Sequence, residues 1–100
     1  MDHVILEMPK RMDAASLPRM RKLVVAAFDG PKPLVVFDFA HCGFIDSRGL
    51  SVIVTGLKLA AQKEKTLRLV HVEEEIRLLL QITRFDRICD IHESMDSALS

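Results

Sequence analysis

Residues 34–39, Leu-Val-Val-Phe-Asp-Phe, constrain this chain more than any other segment. Five of the six side chains are bulky and apolar, and none alternates with a polar partner. A strand of this kind has to be covered on both faces. Pro31, Lys32 and Pro33 bar a helix from running into it, and Gly43 gives the chain a flexible point soon after. A strand hidden on both sides requires helices above and below, which is an α/β layering.

The rest of the chain supplies those helices and further strands. Residues 4–8 form a short apolar run closed by Pro9. Ser16 reads as a helix cap with Pro18 in the first turn. Met20, Leu23, Val24, Ala27 and Phe28 then recur at helical spacing, while Arg19, Arg21 and Lys22 fall between them and face water. Residues 29–33 stop that helix. A second helix follows Ile45-Asp46-Ser47, with Leu50, Ile53, Val54, Leu57 and Ala61 as its apolar stripe. Residues 67–72 read as a strand. Glu73, Glu74 and Glu75 open a third helix, where acids suit the dipole, and Ile76, Leu79 and Leu80 are its buried face. Residues 88–92 make a last strand, and Ser94 caps a brief terminal helix. The order β-α-β-α-β-α-β-α implies one domain over residues 1–100, with a mainly parallel four- to five-stranded sheet, about four helices and right-handed crossovers.

Charge excludes several partners. The chain carries 14 Lys+Arg and 14 Asp+Glu, a formal net charge of zero. The halves are balanced too, with no basic field to hold nucleic acid. Five Phe and no Trp or Tyr leave little to stack on bases. Cys42 and Cys89 are far apart and match no zinc or disulfide framework, and His3, His41, His71 and His92 show no metal spacing. No signal peptide or membrane span is legible, so the expected setting is cytoplasmic, with no metal, cofactor or membrane insertion.

A parallel sheet places its site at the carboxyl ends of the strands. Here those ends are residues 9–13, 40–46, 71–73 and Glu93. Asp38, the one charge in the central run, needs a partner or the open end of its strand. At the start of the second helix either Asp46 or Ser47 is the cap; in both cases the two side chains lie at its exposed end.

The stretch from Leu34 to Leu57, with Asp38 followed by a turn and Phe44-Ile45-Asp46-Ser47-Arg48-Gly49-Leu50, resembles the STAS domain of anti-sigma factor antagonists and of sulfate transporter tails. Leu67-Arg68-Leu69-Val70 before the third helix, the turn from Ile82 to Ile88, and Ala98-Leu99 agree with the same family. The resemblance implies that Ser47 is the residue offered to a partner kinase for phosphorylation, and that Asp13, which matches the acid ending the family's Gly-Glu-Leu-Asp element, is a partner contact. It implies a regulatory binding module that engages an anti-sigma factor/serine kinase, is reset by a serine phosphatase and governs a sigma factor, hence transcription. Gly49 is expected to allow close approach of backbone or partner.

The chain departs from the family pattern in several places. Only the run at residues 4–8 precedes the first helix, where the family has two strands, so an open sheet edge and a homodimer are expected. Lys10-Arg11-Met12 replaces Gly-Glu-Leu, Arg48 follows the serine, and Arg84 stands at a turn glycine. Lys10, Arg11 and Arg48 are expected to meet around Ser47, where a local basic cluster holds a phosphate or an acidic partner. The competing reading is a non-switching STAS subunit of a stress-sensing scaffold or of a lipid or anion transporter complex. An enzyme is not expected. Ile45 spoils the small residue a nucleophile elbow needs, and no histidine can be assigned as base.

Overall fold

The computed structural model describes residues 2–100. In chain order the elements are β1 (His3–Glu7), β2 (Arg11–Met12), α1 (Leu17–Asp29), β3 (Leu34–Asp38), β4 (Phe44–Ile45), α2 (Ser47–Gln62), β5 (Thr66–Val70), α3 (Glu74–Ile82), a 3-10 turn (Phe85–Arg87), β6 (Asp90–His92) and α4 (Met95–Leu99). The main sheet has four strands in the order β1-β3-β5-β6, all pairs parallel. Its carboxyl ends therefore lie along one edge, as expected for this topology.

Leu34, Val35, Val36 and Phe37 of β3 are fully buried, which is why this strand sits inside the sheet. Val35 and Phe37 join Leu67 and Leu69 in the larger core, packed with Met20, Val24 and Phe28 of α1, Val52 and Ile53 of α2, and Ile76 and Leu80 of α3. Leu34 and Val36 face the other way, onto Val70, with Ala98, Met95 and Leu99 of α4. The four-residue core on that side is small, and polar contacts tie α4 down. Arg68 donates from Nη1 to the Ala98 carbonyl at 2.9 Å, and Ser97 Oγ lies 2.7 Å from His92 Nδ1. The Asp90 carboxylate stands 3.3 Å from Arg68 Nε, an ion-pair contact, and 2.9 Å from His92 Nε2, and neither nitrogen makes a hydrogen bond of proper geometry.

Three details differ in kind from the sequence expectation, and a fourth adds to it. Two strands precede α1, not one. The second, Arg11–Met12, pairs with Phe44–Ile45 in a separate two-stranded parallel sheet. Two-residue strands carry no periodicity, so no pattern announces them. Ser16 does not cap α1: its backbone is helical and its side chain makes no cap bond. Ser16 Oγ instead accepts from the Asp13 N–H and donates to the Asp13 carbonyl, and Asp13 Oδ1 accepts from Ala15 N–H at 3.1 Å and Ser16 N–H at 3.4 Å. The buried line of α2 runs through Gly49, Val52, Ile53, Gly56 and Ala60, displaced from the stripe of large residues because glycines are what fit nearest the sheet. Lys65, from the loop after α2, donates through Nζ to the Phe28 carbonyl at 2.8 Å and to the Gly30 carbonyl, closing the carboxyl end of α1 from a distance.

Candidate functional site

The site is the start of α2 with the segment zipped to it. Gly43 N–H donates to the Lys10 carbonyl at 3.0 Å and Asp46 N–H to the Met12 carbonyl at 3.2 Å, bracketing the β2–β4 pair. Residues 10–13 and 43–46 are thereby fixed side by side, although they are more than thirty positions apart in the chain.

Asp46 is the cap of α2. Its backbone is extended, and Oδ1 accepts from Arg48 N–H at 2.9 Å and Gly49 N–H at 3.1 Å. These bonds satisfy two of the donors that every helix leaves unpaired at its start. The alternative left open by the sequence is thus decided against Ser47, which is the first helical residue. Ser47 is exposed, and its hydroxyl has no hydrogen-bond partner among the described residues. Gly49 faces inward. A Cβ there would stand 2.6 Å from Ile45 Cγ1, 2.7 Å from Met12 Cβ and closer still to the Met12 carbonyl oxygen. Gly49 therefore lets α2 seat on β2, and its close approach is to backbone within the molecule.

Each arginine of the expected basic cluster has its own acid. Arg11 Nε lies 3.3 Å from Asp13 Oδ2, and its guanidinium stacks 4.1 Å above the centroid of Phe44. Arg48 Nη1 lies 4.0 Å from Asp46 Oδ2, a long contact between exposed groups. Lys10 is exposed at the same end. The outcome is an end of mixed charge, with two acids and three cations on the two segments that meet at the start of α2. A shallow groove runs beside it, lined by Pro9, Arg11, Asp13, Ser16, Arg19 and Met20.

Behind the site, Asp38 has both supports the sequence asked for. Its Oδ1 accepts from Ala40 N–H at 2.9 Å and from His71 Nδ1 at 2.9 Å. His71, which makes that bond, has a left-handed backbone with φ of 59°. Cys42 is buried with its thiol directed at the Phe44 carbonyl, and burial pushes that thiol up. Its lack of ready ionisation makes it a packing residue. Among the described residues no group of His, Cys, Asp or Glu is arranged to hold a metal ion, and no helix is long and apolar enough to cross a membrane.

Sequence reasoning placed Phe44 in the motif but missed that its ring carries the Arg11 guanidinium, and it missed the β2–β4 pair that organises the whole end. Only the chain brought together in space reveals either.

The sequence profile of the STAS domain matches residues 1–98. The chain belongs to the STAS domain family. Among solved structures, it is similar to a candidate anti-sigma factor antagonist from Thermotoga maritima, with a TM-score of 0.88 and 27% identity, covering 98% of this chain and 85% of that one. It shares the fold of the anti-sigma factor antagonist SpoIIAA in its unphosphorylated form, at a TM-score of 0.78 and 15% identity over 96% of this chain and 84% of that one. It also shares the fold of a sulfate transporter family protein from Wolinella succinogenes, at a TM-score of 0.78 and 16% identity over 97% of this chain and 81% of that one. No match is found among curated protein sequences.

Proposed function

We propose that this STAS domain is a cytoplasmic anti-sigma factor antagonist, a regulatory binding module rather than an enzyme, switched by phosphorylation at Ser47. The observation that carries the reading is the state of Ser47: exposed, unbonded, and first in a helix whose cap bonds belong to Asp46. A kinase can reach the hydroxyl without breaking a structural bond, so modification leaves the fold intact.

A phosphate there adds about −1.5 to −2 charges. Asp46 already occupies the Arg48 and Gly49 amides, so the new anion stands beside a carboxylate and cannot take those donors. Its nearest mobile counter-ion is Arg48, held to Asp46 only at 4.0 Å. Phosphorylation thus draws Arg48 away from Asp46 and adds repulsion over the surface formed by Lys10, Arg11, Asp13, Asp46 and Arg48. A partner docked on that surface loses both its charge match and its dry contact. The partner is an anti-sigma factor with serine kinase activity, and a serine phosphatase restores the binding form. Gly49 contributes from beneath by holding the helix end in place.

The test is phosphate incorporation by the cognate kinase into the wild type and Ser47→Ala, with mass spectrometry of the protein from its own cells. Incorporation lost in the variant is the expected result; equal incorporation rejects Ser47. Arg48→Glu is expected to weaken binding about tenfold at low salt, and unchanged affinity rejects the charge match. Unmodified Ser47 together with co-purified membrane ATPase subunits would favour a non-switching subunit of a transporter or scaffold.

A further inference from the structure

Among the described residues the main sheet ends at β1 on one side and at β6 on the other, and the two edges are built differently. β6 is three residues long and carries Asp90 and His92, with the Asp90 carboxylate turned back onto Arg68. A short, charged strand discourages pairing with another chain. β1 is longer, and its charged residue, Glu7, stands at its end with three apolar residues at its centre. It is five residues, His-Val-Ile-Leu-Glu, with no Lys, no Pro and no bulge, and its register with β3 is unbroken from His3 opposite Leu34 to Glu7 opposite Asp38.

The direction of its backbone groups follows from one bond. Met8 N–H donates to the Asp38 carbonyl at 2.8 Å, so the even-numbered residues turn toward β3. Backbone groups of alternate residues in a strand point to opposite sides. Ile5 and Glu7 therefore aim N–H and C=O away from the sheet, where no strand lies among the described residues. The Ile5 side chain is 40% exposed on the same edge.

We propose that a second copy of this chain covers this edge, the two β1 strands pairing antiparallel about a two-fold axis through Ile5. The strand is complementary to its own reverse. Ile5 meets Ile5 of the copy, Val4 meets Leu6, and the His3 imidazole stands across from the Glu7 carboxylate. Apolar residues oppose apolar ones and no like charges face each other, as favourable cross-strand pairs require. An in-register parallel pairing would instead set Glu7 beside Glu7. The antiparallel arrangement closes on itself as a two-fold dimer. It joins four strands to four in one continuous sheet. It also points the two Ser47 ends in opposite directions, so the dimer offers two open regulatory sites and forms regardless of the phosphorylation state.

Sedimentation of the full chain over a wide concentration range tests this. The mass is expected to rise from the 11.3 kDa of one chain toward twice that value. The Ile5 and Glu7 amides should gain protection from hydrogen exchange in concentrated samples only. Ile5→Pro removes an outward-pointing donor that no strand among the described residues uses, and Ile5→Lys places two ammonium groups on the axis. Both are expected to stay at the mass of one chain. A single-chain mass for the wild type at every concentration would overturn the proposal. So would a dimer that persists in both variants, or one without protection at the Ile5 and Glu7 amides, which needs no variant to observe.

Discussion

The α2 side of the molecule and the α3–β6 side are held in contrasting ways. The 16-residue α2 is capped by Asp46 and seated through two glycines, Gly49 against β2 and Gly56 under Phe37. The nine-residue α3 has no side-chain cap bond and gives way to Arg84, held left-handed at φ 65°. On this side Leu78 and Ile82 of α3 are left 49% and 79% exposed, and Ile88 after it 61%. Tight seating lies beneath the helix start that carries Ser47. The looser side closes the sheet with less specification, so it is expected to tolerate change that α2 does not.

Gly49→Ala is the strongest way to break that contrast. The new methyl meets backbone at Met12, which cannot swing aside. A loss of about 3 kcal/mol is expected in denaturant unfolding, well beyond the roughly 1 kcal/mol of helix propensity gained. A variant as stable as the wild type would remove the argument for tight seating.

Gly56→Ala should cost less, about 1 kcal/mol, because its methyl would lie 2.9 Å from Phe37 Cζ and 3.1 Å from Leu67 Cδ2, side-chain atoms with some room to shift. Asp46→Ala removes the cap of α2 and is expected to cost about 1 kcal/mol by thermal unfolding. On the looser side, Arg84→Gly should instead stabilise, by up to about 1 kcal/mol, since glycine adopts the left-handed conformation without strain. A loss there would mean that the Arg84 side chain holds the turn.

The smallest effect concerns Cys89, whose thiol is pushed up to about 11 by burial and then by the Asp86 carboxylate. In the unfolded chain the thiol titrates near 9.0. Between those values the unfolded chain gives up its proton first, so stability falls as pH rises from about 9 to 11 and is unaffected below. Cys89→Ser should make this slope shallower. An identical slope in the variant would assign it to other groups.

Much of the fold was legible because it rests on long-period signals. Five-residue strands and helices of nine to sixteen residues repeat their apolar positions often enough to be recognised, as residues 34–39 and 20–28 do. The position of Ser47 at a helix start was equally readable from Asp46-Ser47-Arg48-Gly49. What stayed hidden were pairings of two residues and bonds across long stretches of chain. Nothing near Lys65 indicates that it closes α1, and nothing in Arg11-Met12 indicates a strand, because the partner of each lies more than thirty positions away.

The division between sequence and tertiary structure is clearest at the one serine. Local chemistry alone dictated an α/β sheet around a strand too apolar to face water, and a polar helix start following it. Tertiary structure decided which of two adjacent residues caps the helix, turned the expected basic cluster into two acid–arginine pairs with Lys10 beside them, and set Gly49 against backbone within the molecule. The physical reason is common to all three. Hydrogen bonds, ion pairs and close approaches depend on distances of a few ångströms between segments that the chain order keeps apart, whereas burial patterns are written into neighbouring residues.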